Sequence, residues 1–184
     1  MRALLISMAM ICAFSFSTFA QDSSDKKSKR NAIKYGYGST FHSNGMVGNH
    51  QYGELTRYLG NRFALSALAG YIKSDNVADT NIDTNYEFNA WKGDFNLYFL
   101  PINKPTGSLK IGGGVSYWMG DFKSKDTSEV NFLIVEEEDY GWNVATEFEV
   151  YLSNTVVLGA RAAFTKARND ENYYFFGLNA GFKF

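Results

Sequence analysis

The chain has 184 residues, with 18 lysines and arginines against 19 aspartates and glutamates, and this net charge of -1 leaves no basic surface for nucleic acid. Two prolines, 17 glycines and 17% aromatic residues favour strands and turns over helices. A mean hydropathy of -0.26 with no later apolar run excludes a bundle of membrane helices, but not a membrane barrel, whose alternating strands average to near neutrality.

Taken in chain order, the first segment is a secretory signal pattern over residues 1–20: Arg2, an apolar run to about Phe19, and Thr18-Phe19-Ala20 as a small-residue cleavage site. Cys12, preceded by Ile11, lies inside that run rather than at its end, so it does not read as a lipidation site. Cleavage after Ala20 leaves no cysteine, and an exported domain of this kind must be stabilised without disulfides. Residues 21–31 form a polar linker, and residues 32–184 form one domain.

Eight strands are predicted in that domain. The first, Ala32 to His42, sets Ile33, Tyr35, Tyr37 and Phe41 against Lys34, Gly36, Gly38, Thr40 and His42. A loop over 43–49 leads to a second, His50 to Leu59, whose parities each carry one charge, so that its facing stays open. Gly60-Asn61 turns into the third, Arg62 to Lys73, with Phe63, Leu65, Ala67, Ala69 and Tyr71 on its apolar face. After a polar loop over 74–85, the fourth strand, Tyr86 to Leu100, groups Trp91, Phe95, Leu97 and Phe99 opposite Lys92, Asp94, Asn96 and Tyr98. A turn over 101–108 holds both prolines. The fifth strand runs from Leu109 to Gly120, a polar stretch follows over 121–131, and the sixth runs from Tyr140 to Leu152. Ser153-Asn154 turns into the seventh, Thr155 to Arg168, and the eighth closes the chain from Tyr173 to Phe184. Connections alternate between short turns and longer polar loops (43–49, 74–85 and 121–139), with both termini on the short-turn side, which is the asymmetry of an outer-membrane barrel.

Alternation alone does not say which face is inside. A soluble sandwich or lipocalin-like barrel carrying a small apolar ligand would turn the polar face outward. Aromatics clustered near strand ends, as girdles, favour the apolar face outward. The polar face carries charges of both signs, Arg62, Lys92, Asp94, Lys110, Glu147, Glu149 and Arg161, which can pair in a closed lumen. An eight-stranded lumen is just wide enough to be packed with side chains, so a conducting pore is not expected.

Over Ala32 to Phe184 the chain resembles the small eight-stranded outer-membrane barrels of the OmpX/OmpA-transmembrane type. The resemblance rests on strand count, loop asymmetry and the ending Gly177-x-x-Ala180-x-Phe182-x-Phe184. That ending is similar to the signal by which the barrel assembly machinery recognises its clients, although Ala180 is smaller than the residue usual there. The resemblance implies an all-β, antiparallel, up-and-down transmembrane barrel in a Gram-negative outer membrane. It implies contact with lipid and lipopolysaccharide, a monomer, and a role in envelope integrity or in adhesion through surface loops.

Other residues invite chemistry and are read more plainly. Some barrels that modify lipid A use a rim histidine and serine, but His42 and Ser43 are adjacent and point opposite ways, so His42 and His50 read as loop-end histidines in solvent. Asp75, Asp79 and Asp83, and the run Glu136-Glu137-Glu138-Asp139, match no calcium-loop spacing and read as a solvated acidic rim. No catalytic residue, metal ligand or cofactor is expected. Asn131 to Val135 either extends the hairpin of strands five and six as a projecting sheet edge, begins the sixth strand early, or covers the barrel mouth.

Overall fold

The computed structural model describes residues 30–43, 45–76, 84–126, 132–168 and 171–184, so the predicted signal segment and most of the predicted linker lie outside the described residues. Eight strands follow one another: β1 (Asn31–His42), β2 (Met46–Leu59), β3 (Phe63–Asn76), β4 (Thr84–Lys104), β5 (Gly107–Asp126), β6 (Phe132–Tyr151), β7 (Val156–Ala167) and β8 (Asn172–Lys183). Each pairs antiparallel with its sequence neighbour, and β1 pairs with β8, so the sheet closes on itself. The seam runs from Ala32↔Lys183 to His42↔Tyr173 and is tied at its base by Asn31 and Phe184, whose backbones exchange hydrogen bonds of 3.0 and 2.8 Å. Closure gives the aromatic terminal strand a partner and removes its free edge.

The strands differ from expectation at four places. β2 begins at Met46, which shrinks the 43–49 loop to a turn that Gly45 makes at φ 87°. β4 continues through Pro101 to Lys104, because a register shift between Phe99 and Ile102 supplies the bulge in which proline is tolerated. The turn holding both prolines thus reduces to Pro105-Thr106. β5 runs on to Asp126 and β6 begins at Phe132, so most of the predicted 121–139 loop is a paired hairpin, with Phe132 to Val135 in its strand. The asymmetry between the two ends therefore comes from strand length more than from loops. At the end opposite the termini, β4, β5 and β6, of 21, 20 and 20 residues, outrun the 12-residue β1, β7 and β8.

The barrel wall is inverted relative to a soluble protein. Among the described residues, twenty-five large apolar side chains are exposed on its outside, including Leu178 at 70%, Val115 at 63% and Trp91 at 60%. The inside holds lysines, an arginine, aspartates and glutamates that are nearly all fully buried. A contiguous apolar belt of this size would drive a soluble monomer to associate. The strands are long enough to cross a bilayer when tilted. Aromatic contacts gather at the belt's rims: Tyr71 with Trp91 (5.3 Å) and Phe164 with Tyr174 (5.2 Å) far from the termini, and Phe63 with Phe99 (5.8 Å) near them.

The β1–β8 seam depends on close approach. Gly38 lies opposite Gly177, and a Cβ on Gly38 would strike the Phe176 carbonyl, the Gly177 backbone and the Phe175 ring. Gly38→Val is expected to cost about 1–3 kcal/mol through overpacking. Gly53→Ala, whose added methyl meets nothing within 4 Å, should be neutral or mildly stabilising. Urea midpoints of the two variants check this, and equal midpoints would contradict it.

Candidate functional site

The lumen is built in layers from the inward parity of every strand. Nearest the termini, Ala32, Tyr58, Ala64, Tyr98, Leu100 and Ala145 pack together, and the Lys183 ammonium sits 3.7 Å from the centre of the Tyr151 ring. At the other end, Met46, Ile72, Phe88, Ala90, Trp118, Ala167 and Tyr173 form an apolar plug, with Tyr52, Leu68 and Phe175 grouped separately. Charged side chains occupy the interior as well.

These charges form one connected network. Lys34 on β1 contacts Glu147, Glu54 (3.2 Å) and Glu149 (3.1 Å). Lys110 on β5 reaches Glu147 at 2.8 Å and Glu149 at 2.9 Å. Arg161 on β7 joins Glu54 (3.3 Å) to Asp94 (3.7 Å), and Lys92 binds Asp94 (3.1 Å) and donates to Thr165 (3.1 Å). Asn179 on β8 donates to Glu147 at 2.9 Å. Four cations thus meet four carboxylates, and no net charge is left in this chain of contacts. Hydroxyls take up remaining lone pairs: Tyr58 (2.7 Å), Ser108 (2.8 Å) and Tyr151 (3.2 Å) donate to Glu149, Thr56 donates to Glu54 (2.9 Å) and Ser116 to Asp94 (2.6 Å). Buried charges persist only when paired and hydrogen-bonded in this way.

Of the residues that the sequence groups, the structure brings together Lys92, Asp94, Lys110, Glu147, Glu149 and Arg161. Arg62 stands apart: it lies in the β2–β3 turn with its side chain exposed, and its carbonyl accepts from the Leu100 backbone at 2.7 Å. The third strand begins one residue after it, so inward parity does not apply to it. Two members were missed. Lys34 stood on the polar parity of β1, and its spacing from Gly36 and Gly38 was a usable signal. Glu54 shares a parity with Tyr52 and Tyr58, and those rings hid the fact that β2 turns its even positions inward.

Both histidines are lumenal and buried, which corrects the solvent reading. β2 starts earlier than predicted and takes His50 into the strand, where it packs 5.1 Å from Phe175. His42 lies between Tyr173 (4.6 Å) and Phe88 (5.6 Å), with its Nε2 2.8 Å from Ser74 Oγ. Ser43 points away and accepts from the Asn172 backbone at 3.1 Å. Asp79 and Asp83 lie outside the described residues, and among those described no cluster of three metal-ligating side chains occurs.

The sequence matches no protein-family model and no curated protein sequence. Solved structures do match. The attachment invasion locus protein Ail of Yersinia pestis superposes with a TM-score of 0.62 at 12% identity, over 86% of this chain and all of that one. The outer membrane protein OprG of Pseudomonas aeruginosa gives 0.62 at 11% identity, over 85% and 98%. Neisserial surface protein A gives 0.52 at 12% identity, over 84% and 97%. The fold is that of the small eight-stranded outer-membrane barrels. As an outer-membrane-type barrel, the chain directs its histidines away from the apolar outer wall, with its aromatic belt between them and any lipid tail.

Proposed function

We propose that the protein is an integral outer-membrane barrel of a Gram-negative envelope, exported by residues 1–20, in which a packed lumen makes a rigid pedestal. The hairpins at the end opposite the termini face outward and serve surface contact or envelope integrity. The observation that carries this reading is the inversion of the wall, with apolar residues outside and a neutral charge network inside. Its lipid contacts are with phospholipid and lipopolysaccharide, and the barrel works as a monomer without enzymatic activity. The burial of His42 and His50 in the lumen supports the last point, since lipid-modifying chemistry needs its histidine at the lipid face. Fractionation tests the location: the protein is expected in carbonate-washed outer membranes and should shift its gel mobility on heating. Recovery from the periplasm without detergent would contradict it.

Gly177, Ala180, Phe182 and Phe184 are proposed as the handle for the assembly machinery. Phe184 is exposed at the belt's base and bonded only through its backbone to Asn31. Deleting Phe184 is therefore expected to lower the surface level of the protein severalfold, a larger effect than the modest drop in the urea midpoint of refolded barrel that loss of its two hydrogen bonds to Asn31 brings. Unchanged surface levels would refute this role.

A further inference from the structure

Charge is distributed unevenly between the two rims of the wall. Among the described residues outside the lumen, the rim opposite the termini mixes acids such as Asp75, Asp121 and Glu138 with Lys73, Lys123 and Arg168. The rim near the termini carries Arg30, Arg57, Arg62 and Lys104 and, among the described residues, no aspartate or glutamate. The glutamates of that half, Glu54, Glu147 and Glu149, are turned into the lumen and joined there to Lys34, Lys110 and Arg161. Two of the rim cations are held side by side. Arg62 lies in the β2–β3 turn and Lys104 ends β4, and both side chains are exposed. The Asn103 side-chain amide donates to the Asn61 carbonyl at 3.1 Å and the Leu100 backbone donates to the Arg62 carbonyl at 2.7 Å, which ties the end of β4 to that turn. Directly beside them the apolar belt ends in Leu59, Phe63, Phe99 and Ile102, all exposed at 43–47%.

Cations at the edge of an apolar wall stand at the depth where hydrocarbon gives way to headgroups, and they attract anionic lipid there. An anionic phospholipid uses both features at once, with its acyl chains along Phe63 and Phe99 and its phosphate between Arg62 and Lys104. A soluble polyanion would use the cations alone. A zwitterionic lipid brings an ammonium alongside its phosphate, and a rim without carboxylate side chains gives that ammonium no partner. We infer that the Arg62–Lys104 corner is a docking site for the phosphate of an anionic phospholipid in the inner leaflet, chosen over zwitterionic lipid. Arg57, on the outward parity of β2 two residues before Leu59, adds to the same field. This inference rests on the reading of the chain as a membrane barrel whose termini face the periplasm.

The test inserts the full barrel into nanodiscs of equal parts phosphatidylglycerol and phosphatidylcholine with identical acyl chains. The barrel is then released into mild detergent, and native mass spectrometry counts the lipids it retains. Retained phosphatidylglycerol is expected to exceed phosphatidylcholine roughly tenfold, with the excess shrinking in high salt. The double variant Arg62→Gln/Lys104→Gln should lose most of that preference while keeping heat-modifiable mobility, and Arg62→Lys/Lys104→Arg should restore it. Lys73→Gln, at the opposite rim, should leave it unchanged. Equal retention of the two lipids by wild type, full preference in the double glutamine variant, or loss of preference in Lys73→Gln would overturn the inference. So would cosedimentation with peptidoglycan that the double variant abolishes while lipid retention shows no preference, which would assign the corner to the cell wall. Insertion is scored separately: a chain that does not enter nanodiscs refutes the membrane reading itself, whereas an inserted barrel without lipid preference refutes only the docking site.

Discussion

Glu149→Ala is expected to lower the unfolding free energy of the barrel by about 3–5 kcal/mol, because it leaves buried charge without its partner. One carboxylate serves Lys34 and Lys110 at 3.1 and 2.9 Å and accepts from Tyr58, Ser108 and Tyr151. Its removal strands two ammonium groups that share only Glu147 and Glu54, and unpairs three hydroxyls in a buried layer. Glu149→Gln keeps an acceptor but loses the charge, so its cost should fall between alanine and wild type. Lys73→Ala is the control. Lys73 meets Glu87 at 3.6 Å with both side chains largely exposed, and its loss should cost no more than about 1 kcal/mol. Urea titrations of refolded barrel followed by tryptophan fluorescence give the comparison. If Glu149→Ala proves as mild as Lys73→Ala, the lumenal network does not hold the barrel together.

Leu178→Arg is the second large effect, expected to cost about 2–4 kcal/mol with the guanidinium placed against hydrocarbon. Leu178 is central in β8, flanked in register by Tyr37 and Ala160, and at 70% exposure it is the most open large apolar side chain of the wall. In a soluble barrel the same change would be harmless or would improve solubility. Folding yield into vesicles and the urea midpoint both report it. An unchanged midpoint would place Leu178 in water and remove the bilayer from the account.

The wall was legible because chemistry contrasts sharply across it. On β6, Trp142, Val144, Phe148 and Val150 alternate with Asn143, Glu147 and Glu149, and a period of two needs no tertiary knowledge. Where contrast fails, so does the reading. β2 mixes Glu54 with two tyrosines on one parity and Arg57 with leucines on the other, and only pairing with Lys34 and Arg161 reveals its inward face. Pairing is a long-range property: Lys34 and Glu149 are 115 positions apart. Arg62 misled for the opposite reason, since its charge suited the network but its place in a turn did not. The far half of β5 and residues 136–139 read as loop because their charged runs do not alternate with apolar residues, whereas the apolar run Phe132 to Val135 already offered an early start of the sixth strand.

The central claim is that the apolar face of every strand meets lipid and the charged face meets the lumen. The three tryptophans sample both sides, with Trp91 and Trp142 exposed on the outer wall and Trp118 at 2% in the lumenal plug. Variants that keep one tryptophan and carry phenylalanine at the other two, refolded into bilayers with brominated acyl chains, measure the facing directly. Strong quenching of Trp91 and Trp142 with weak quenching of Trp118 is the predicted result. Strong quenching of Trp118 with Trp91 and Trp142 unaffected would contradict it.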